Sequence, residues 1–130
     1  MSPEKFYRKW LSADNEIDLN EAAKATGAIT EANGNKFQCL IACEECGELI
    51  QAISKCQRNF DAPGITYEEK EALRMHLIEE MADMLFMIGA MRYNFCISRE
   101  DIAKALNVKI DYSKEVIEKE FGTQNPVDSY

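Results

Sequence analysis

Cys43-Glu44-Glu45-Cys46-Gly47-Glu48-Leu49-Ile50 and its echo Ile78-Glu79-Glu80-Met81-Ala82-Asp83-Met84-Leu85 decide the fold. Each stretch runs two carboxylates, two small or apolar residues, another carboxylate, then two apolar residues. On an α-helix, residues three or four apart share a face. Glu45 therefore stands with Glu48 on one helix, and Glu80 with Asp83 on another. If the two helices pack together, four acidic groups converge. Such a group repels itself unless protons or cations neutralise it. Oxygen ligands without thiolate or imidazole suit a hard divalent cation, Mg²⁺ or Mn²⁺. The alternative is a set of solvated glutamates, which are commonplace on helices. The apolar residues around both motifs, and the recurrence of one local pattern, weigh against it.

Working outward, Phe37, Leu40, Ile41, Leu49, Ile50 and Ile53 predict one long helix over about Lys36 to Arg58. Its apolar positions wrap more than one face, so it is expected to be largely buried. Gly47 costs ~1 kcal/mol relative to alanine inside a helix. With Cys43 and Ser54 it forms a strip of small residues that would admit another helix closely. Asn59 to Ile65, including Asp61-Ala62-Pro63-Gly64, reads as a turn. Thr66-Tyr67-Glu68-Glu69 is a capping box. It opens a second long helix toward Asn94, with Leu73, Leu77, Met81, Met84, Leu85, Ile88 and Met91 as its core surface. Ser98-Arg99-Glu100-Asp101 caps a last helix that ends near Gly122.

Upstream, Ser2-Pro3-Glu4 starts a short helix bearing Phe6, Trp10 and Leu11. A second short helix begins near Asp18, Gly27 is expected to close it, and Asn33-Gly34-Asn35 is a break. No run alternates with the period of a strand. The expected fold is all-α and four-helix-bundle-like. One domain is expected over residues 1–130, with 1–34 an N-terminal helical segment and 123–130 a polar tail.

Composition agrees with one domain: 130 residues, 46% of them apolar and 29% charged, suffice for a real core. No apolar run reaches the roughly 18–20 residues of a membrane span. Met1-Ser2-Pro3-Glu4-Lys5 lacks a signal-peptide core, so a cytoplasmic location and no membrane partner are expected. A net charge of −8 opposes broad binding to nucleic acid. A small phosphorylated ligand stays compatible if cations bridge the two negative partners.

The five cysteines read as small core residues. Cys43 and Cys46 make a C-x-x-C, but no second pair completes a zinc site. The Glu-x-x-His signature of di-iron bundles is absent, because Leu73 stands three residues before the only histidine, His76. His76 precedes Glu80 by one turn and is either a surface or packing residue or looks into the site mouth.

Glu44-Glu45-x-x-Glu48 followed by Glu80-x-x-Asp83 resembles the signature of the MazG-like, all-α nucleoside triphosphate pyrophosphohydrolases. The resemblance spans about Phe37 to Lys114, and its connection from Leu49 to Glu79 is longer than the family usually has. It implies Mg²⁺-dependent cleavage of the α–β phosphoanhydride of an NTP or dNTP to the monophosphate and pyrophosphate. By position, Glu45, Glu48, Glu80 and Asp83 match the metal ligands. Glu44 matches the leading glutamate, and Glu44 or Glu48 is the candidate general base. The resemblance also implies a homodimer or a dimer of dimers, with sites at or near subunit interfaces.

Basic groups are needed for the outer phosphates. Lys55, two turns beyond Glu48, is the first candidate; Arg58 follows, and Lys109 and Lys114 resemble downstream basic positions of the family. Each has a solvated surface role as its alternative. Phe37, Trp10, Phe60, Tyr67 and Tyr112 are candidates to stack on a base, with core packing the alternative for Phe37. Two other functions stay open: phosphoribosyl-ATP pyrophosphohydrolase, and a non-enzymatic acidic helical module that binds a basic partner.

Overall fold

The computed structural model describes residues 1–122, so the tail expected from Thr123 on lies outside the described residues. The chain is all-α, with no strand among the described residues. Its helices are α1 (Pro3–Leu11), α2 (Leu19–Asn33), α3 (Asn35–Asn59), α4 (Tyr67–Asn94) and α5 (Arg99–Phe121). α1 to α4 form one compact unit, Met1–Phe95, and α5 belongs to a second that begins at Cys96. No described helix is long and apolar enough to cross a membrane.

Local chemistry sets where the helices start. The Ser2 hydroxyl accepts from the Lys5 amide, and the Asp18 carboxylate from the amides of Asn20 and Glu21. Thr66 accepts from Glu69, and Ser98 from Asp101. Each oxygen satisfies a first-turn amide that has no intrahelical acceptor, a contribution of about 1 kcal/mol per cap. α3 has no side-chain cap. There Gly34 turns the chain from α2 into α3 at φ 89°, a conformation that costs glycine little.

The short turn after Asn59 folds α4 back along α3, giving the most extensive helix pairing of the first unit. Near that turn the Cys56 thiol donates to the Leu73 carbonyl at 3.6 Å. From this level, two turns back along α3 reach Glu48 and two turns onward along α4 reach Glu80. The hairpin register thus sets the two acidic motifs opposite each other.

α2 lies on the other end of α4 through small residues. Thr26, Gly27 and Thr30 are buried there, as are Gly89 and Ala90 of α4. Gly27 was expected to close α2 but sits inside it. A Cβ on Gly27 would stand 2.9 Å from two carbons of the Tyr93 ring, so glycine is needed for contact, not for termination. The buried Thr26 and Thr30 hydroxyls donate to the carbonyls of Ala22 and Thr26, each at 2.9 Å. The Tyr93 hydroxyl donates to Glu31 Oε1 at 2.6 Å across the same pairing.

The expected burial of the two long helices is not found. α3 buries only Gln38 and Ala52, while Leu40 and Ile50 are each 63% exposed. On α4, Met81, Leu85 and Ile88 are exposed, and burial falls on Glu80, Met87, Gly89 and Ala90. A Cβ on Gly47 would meet nothing within 4 Å, so nothing described uses the small-residue strip. The cysteines are free, and Cys43, Cys46 and Cys96 are exposed rather than in a core. One physical reason covers the corrections on α3 and α4. The apolar stripe on each is wider than the helices packed against it in the first unit cover.

Candidate metal centre

The hairpin brings together the four carboxylates expected from sequence. One oxygen from each of Glu45, Glu48, Glu80 and Asp83 lies within 4.8 Å of all the others. α3 presents Glu45 and Glu48 from one face, and α4 presents Glu80 and Asp83. The four differ in exposure: Glu80 is buried at 7% exposure, Glu45 and Asp83 are half-buried, and Glu48 is exposed. The cluster is therefore most accessible to solvent at Glu48.

Its electrostatics follow from that uneven exposure. Burial first, then the charges of Asp83 and Glu48, push the Glu45 carboxyl up to about 7. Glu80 is raised by burial and then by Glu48 and Asp83, with His76 working the other way. Asp83 is raised by burial too, although a hydrogen bond with Glu45 opposes the rise. Protons thus stand in for positive charge that the cluster otherwise lacks.

Hydrogen bonding shows the same deficit. A buried oxygen on Glu45 and another on Glu80 (Oε2 in both) have no partner. Leaving a buried acceptor unpaired costs about 1–3 kcal/mol, more when it is charged. On the other side of Glu80, His76 Nε2 lies 3.4 Å from Oε1. The carboxylate is therefore held through one oxygen and bare at the other. Four convergent carboxylates, two of which also carry an unpartnered buried oxygen, fit a divalent cation.

Two cavities flank His76. One, of about 500 Å³, lies at the turn end of the hairpin against Lys55, Asn59, Gly64, Glu69 and His76. The other, of about 590 Å³, lies between α1 and α4, with Tyr7, Tyr67, Met75, His76 and Glu79 in its walls. Sequence reading singled out Lys55 and Tyr67 but missed Tyr7, Met75 and Asn59. Helical periodicity within one element gives no sign of which distant elements face each other.

The remaining candidates fall as follows. Glu44 is exposed beside Glu45, one turn from Glu48. Arg58 is exposed in the last turn of α3, and Phe37, expected as core or as a stacking residue, is 46% exposed in the first turn. Phe60 is half-buried under the Lys70 ammonium, 5.1 Å from its ring centroid. Lys109 and Lys114 share a shallow recess of α5 with Ile110 and Ser113. No family model, curated protein or solved structure matches the chain.

Proposed function

We propose that the chain is a MazG-like, metal-dependent nucleoside triphosphate pyrophosphohydrolase, cleaving the α–β anhydride of an NTP or dNTP to the monophosphate and pyrophosphate. The observation that carries this reading is the convergence of Glu45, Glu48, Glu80 and Asp83 on one hairpin, with a buried Glu80 oxygen left unpartnered. Surface glutamates that only solvate a helix do not gather oxygens in this way around a buried carboxylate. Mg²⁺ (or Mn²⁺) bound there supplies charge neutralisation and polarisation of the phosphoryl oxygens.

The chain's own residues have separate tasks. Glu45, Glu80 and Asp83 would hold the cation from the less exposed side of the cluster. Glu48, the most exposed of the four, is placed both to hold the cation and to accept a proton from the attacking water, with Glu44 one turn away as the alternative acceptor. Lys55, lining the cavity beside His76, offsets the charge of the outer phosphates. Arg58 and Phe37 are secondary substrate contacts, whereas Lys109 and Lys114 lie on α5, in the second unit.

The same reading includes a homo-oligomer, a dimer or a dimer of dimers. Its support is the exposed apolar set of Leu40, Ile50 and Ile53 on α3 with Met81, Leu85 and Ile88 on α4. Large apolar side chains left exposed together mark interaction sites in soluble proteins. A second copy of the hairpin would complete a four-helix bundle.

The test is product analysis on a panel of NTPs and dNTPs with Mg²⁺ and with chelator. Mg²⁺-dependent release of monophosphate and pyrophosphate is expected. Orthophosphate as the product, or turnover indifferent to chelator, overturns the reading. Absence of both turnover and metal binding favours the acidic interaction module instead.

A further inference from the structure

We infer that the cavity between α1 and the first half of α4 is the base-recognition pocket, and that it selects bases bearing an exocyclic amino group. This rests on the pyrophosphohydrolase reading, which itself says nothing about where the base goes. The cavity measures about 590 Å³, within the range of about 300–1,000 Å³ usual for small-molecule sites. Its walls are aromatic and flat: Phe6 and Tyr7 come from α1, and Tyr67 from the first turn of α4. Tyr7 is itself stacked on Trp10, with centroids 6.0 Å apart and planes 20° from parallel. Exposed ring faces suit a planar heterocycle, because every base offers a π-face.

The cavity adjoins the carboxylate cluster. His76 lines it and also reaches Glu80 at 3.4 Å, and Glu79 lines it next to Glu80 in the chain. A substrate whose anhydride lies on the cluster thus has two recesses within reach, one on each side of His76.

Charge sorts the two ends of the substrate between them. The turn-end recess offers the Lys55 ammonium and the Asn59 amide, with Glu69 as the single carboxylate in its lining. The α1 recess has no lysine or arginine in its lining, and carries Glu4, Glu68, Glu71 and Glu79. Of these, Glu71 is paired with Arg74 at 3.3 Å. A triphosphate is repelled there, so the nucleoside end takes this side and the outer phosphates take the Lys55 side.

Ionised carboxylates only accept hydrogen bonds. Cytosine, adenine and guanine each present an amino group to such a rim. Thymine and uracil present two carbonyls around a single N–H, which sets oxygen against oxygen. The rim therefore favours amino-bearing bases.

Trp10, the only tryptophan, reports on the pocket. The experiment titrates the full chain, in Mg²⁺, with the hydrolysis-resistant α,β-imido analogues of dCTP and dTTP and with inorganic pyrophosphate. Trp10 emission and calorimetry are recorded for wild type, Tyr67→Ala, Tyr7→Ala and Glu79→Gln. The dCTP analogue is expected to bind about tenfold more tightly than the dTTP analogue and to change Trp10 emission, while pyrophosphate leaves emission unmoved. Loss of either tyrosine ring is expected to weaken both analogues about tenfold, in line with base–aromatic stacking, with pyrophosphate unaffected. Glu79→Gln is expected to narrow the gap between the analogues. If an alanine variant loses helicity, leucine replaces alanine, removing the ring while keeping bulk. Equal binding of the two analogues, or wild-type affinities in both tyrosine variants, overturns the inference while the enzyme reading stands. Failure of both analogues and of pyrophosphate to bind with Mg²⁺ overturns both.

Discussion

His76 Nε2 stands 3.4 Å from Glu80 Oε1, one turn away on α4, while Glu80 Oε2 is buried without a partner. The imidazole lies against one oxygen of the carboxylate and leaves the other without a protein partner. Partners of this kind typically change metal affinity 10–100-fold when removed. His76→Ala is expected to weaken Mn²⁺ binding about tenfold by calorimetry, and His76→Gln, which keeps a donor, less. Glu80→Gln and Asp83→Asn are expected to remove measurable binding and turnover with helicity retained. Unchanged affinity in the last two variants would exclude the metal centre.

Metal-free protein should be more stable in mild acid than in mild alkali. Glu45 holds its proton up to about pH 7 when folded, and Glu80 and Asp83 are also raised. Between the ordinary carboxylate range and about 7, the folded chain binds protons that the unfolded chain releases. Stability is therefore lost as pH rises through that window. With chelator present, Tm is expected to fall between about pH 5 and about pH 8. At the higher pH, Mg²⁺ at about 100 times its Kd contributes on the order of 2.7 kcal/mol, or on the order of 10 °C. A flat chelated profile would count against clustered protonation.

Gly27→Ala tests the α2–α4 contact. The added methyl meets the Tyr93 ring at 2.9 Å, and overpacking typically costs about 1–3 kcal/mol. Alanine's better helix propensity returns ~1 kcal/mol of this. Tm is expected to drop by several degrees, and pairing the change with Tyr93→Leu should recover part of the loss. A rise in Tm for Gly27→Ala alone would mean the ring moves aside freely.

Ile50→Glu and Leu85→Glu place charge on the uncovered faces of α3 and α4. Sedimentation of wild type is expected to give at least twice the 14.8 kDa chain mass. Each variant is expected to shift toward the monomer, with the helix content kept. A wild type that is monomeric at micromolar concentration would remove the oligomer from the proposal.

The helix starts were legible because capping is local: Ser2, Asp18, Thr66 and Ser98 each act within three residues. So were the paired carboxylates, since helical spacing and a short hairpin turn leave few ways to arrange Glu45, Glu48, Glu80 and Asp83. Burial was not. The sequence shows that Leu40, Ile50, Met81 and Leu85 are apolar, but not which chain covers them. Gly27 misled for a related reason: glycine marks both helix ends and close approaches, and only the Tyr93 ring tells them apart. The α1 cavity was hidden because its walls, Tyr7 and Tyr67, lie far apart in the chain.

Because all four carboxylates sit on one helical hairpin with a short connection, their meeting needs only α3 and α4. Closing one such hairpin costs less chain entropy than joining segments far apart in the chain. In alkali without metal, the closing hairpin drives like charges together during the climb to the transition state. A cation that bridges them lowers that barrier. Mg²⁺ would then accelerate refolding itself, visible in the folding arm of a chevron, whereas a cation that bound only the finished protein would act on the unfolding arm alone.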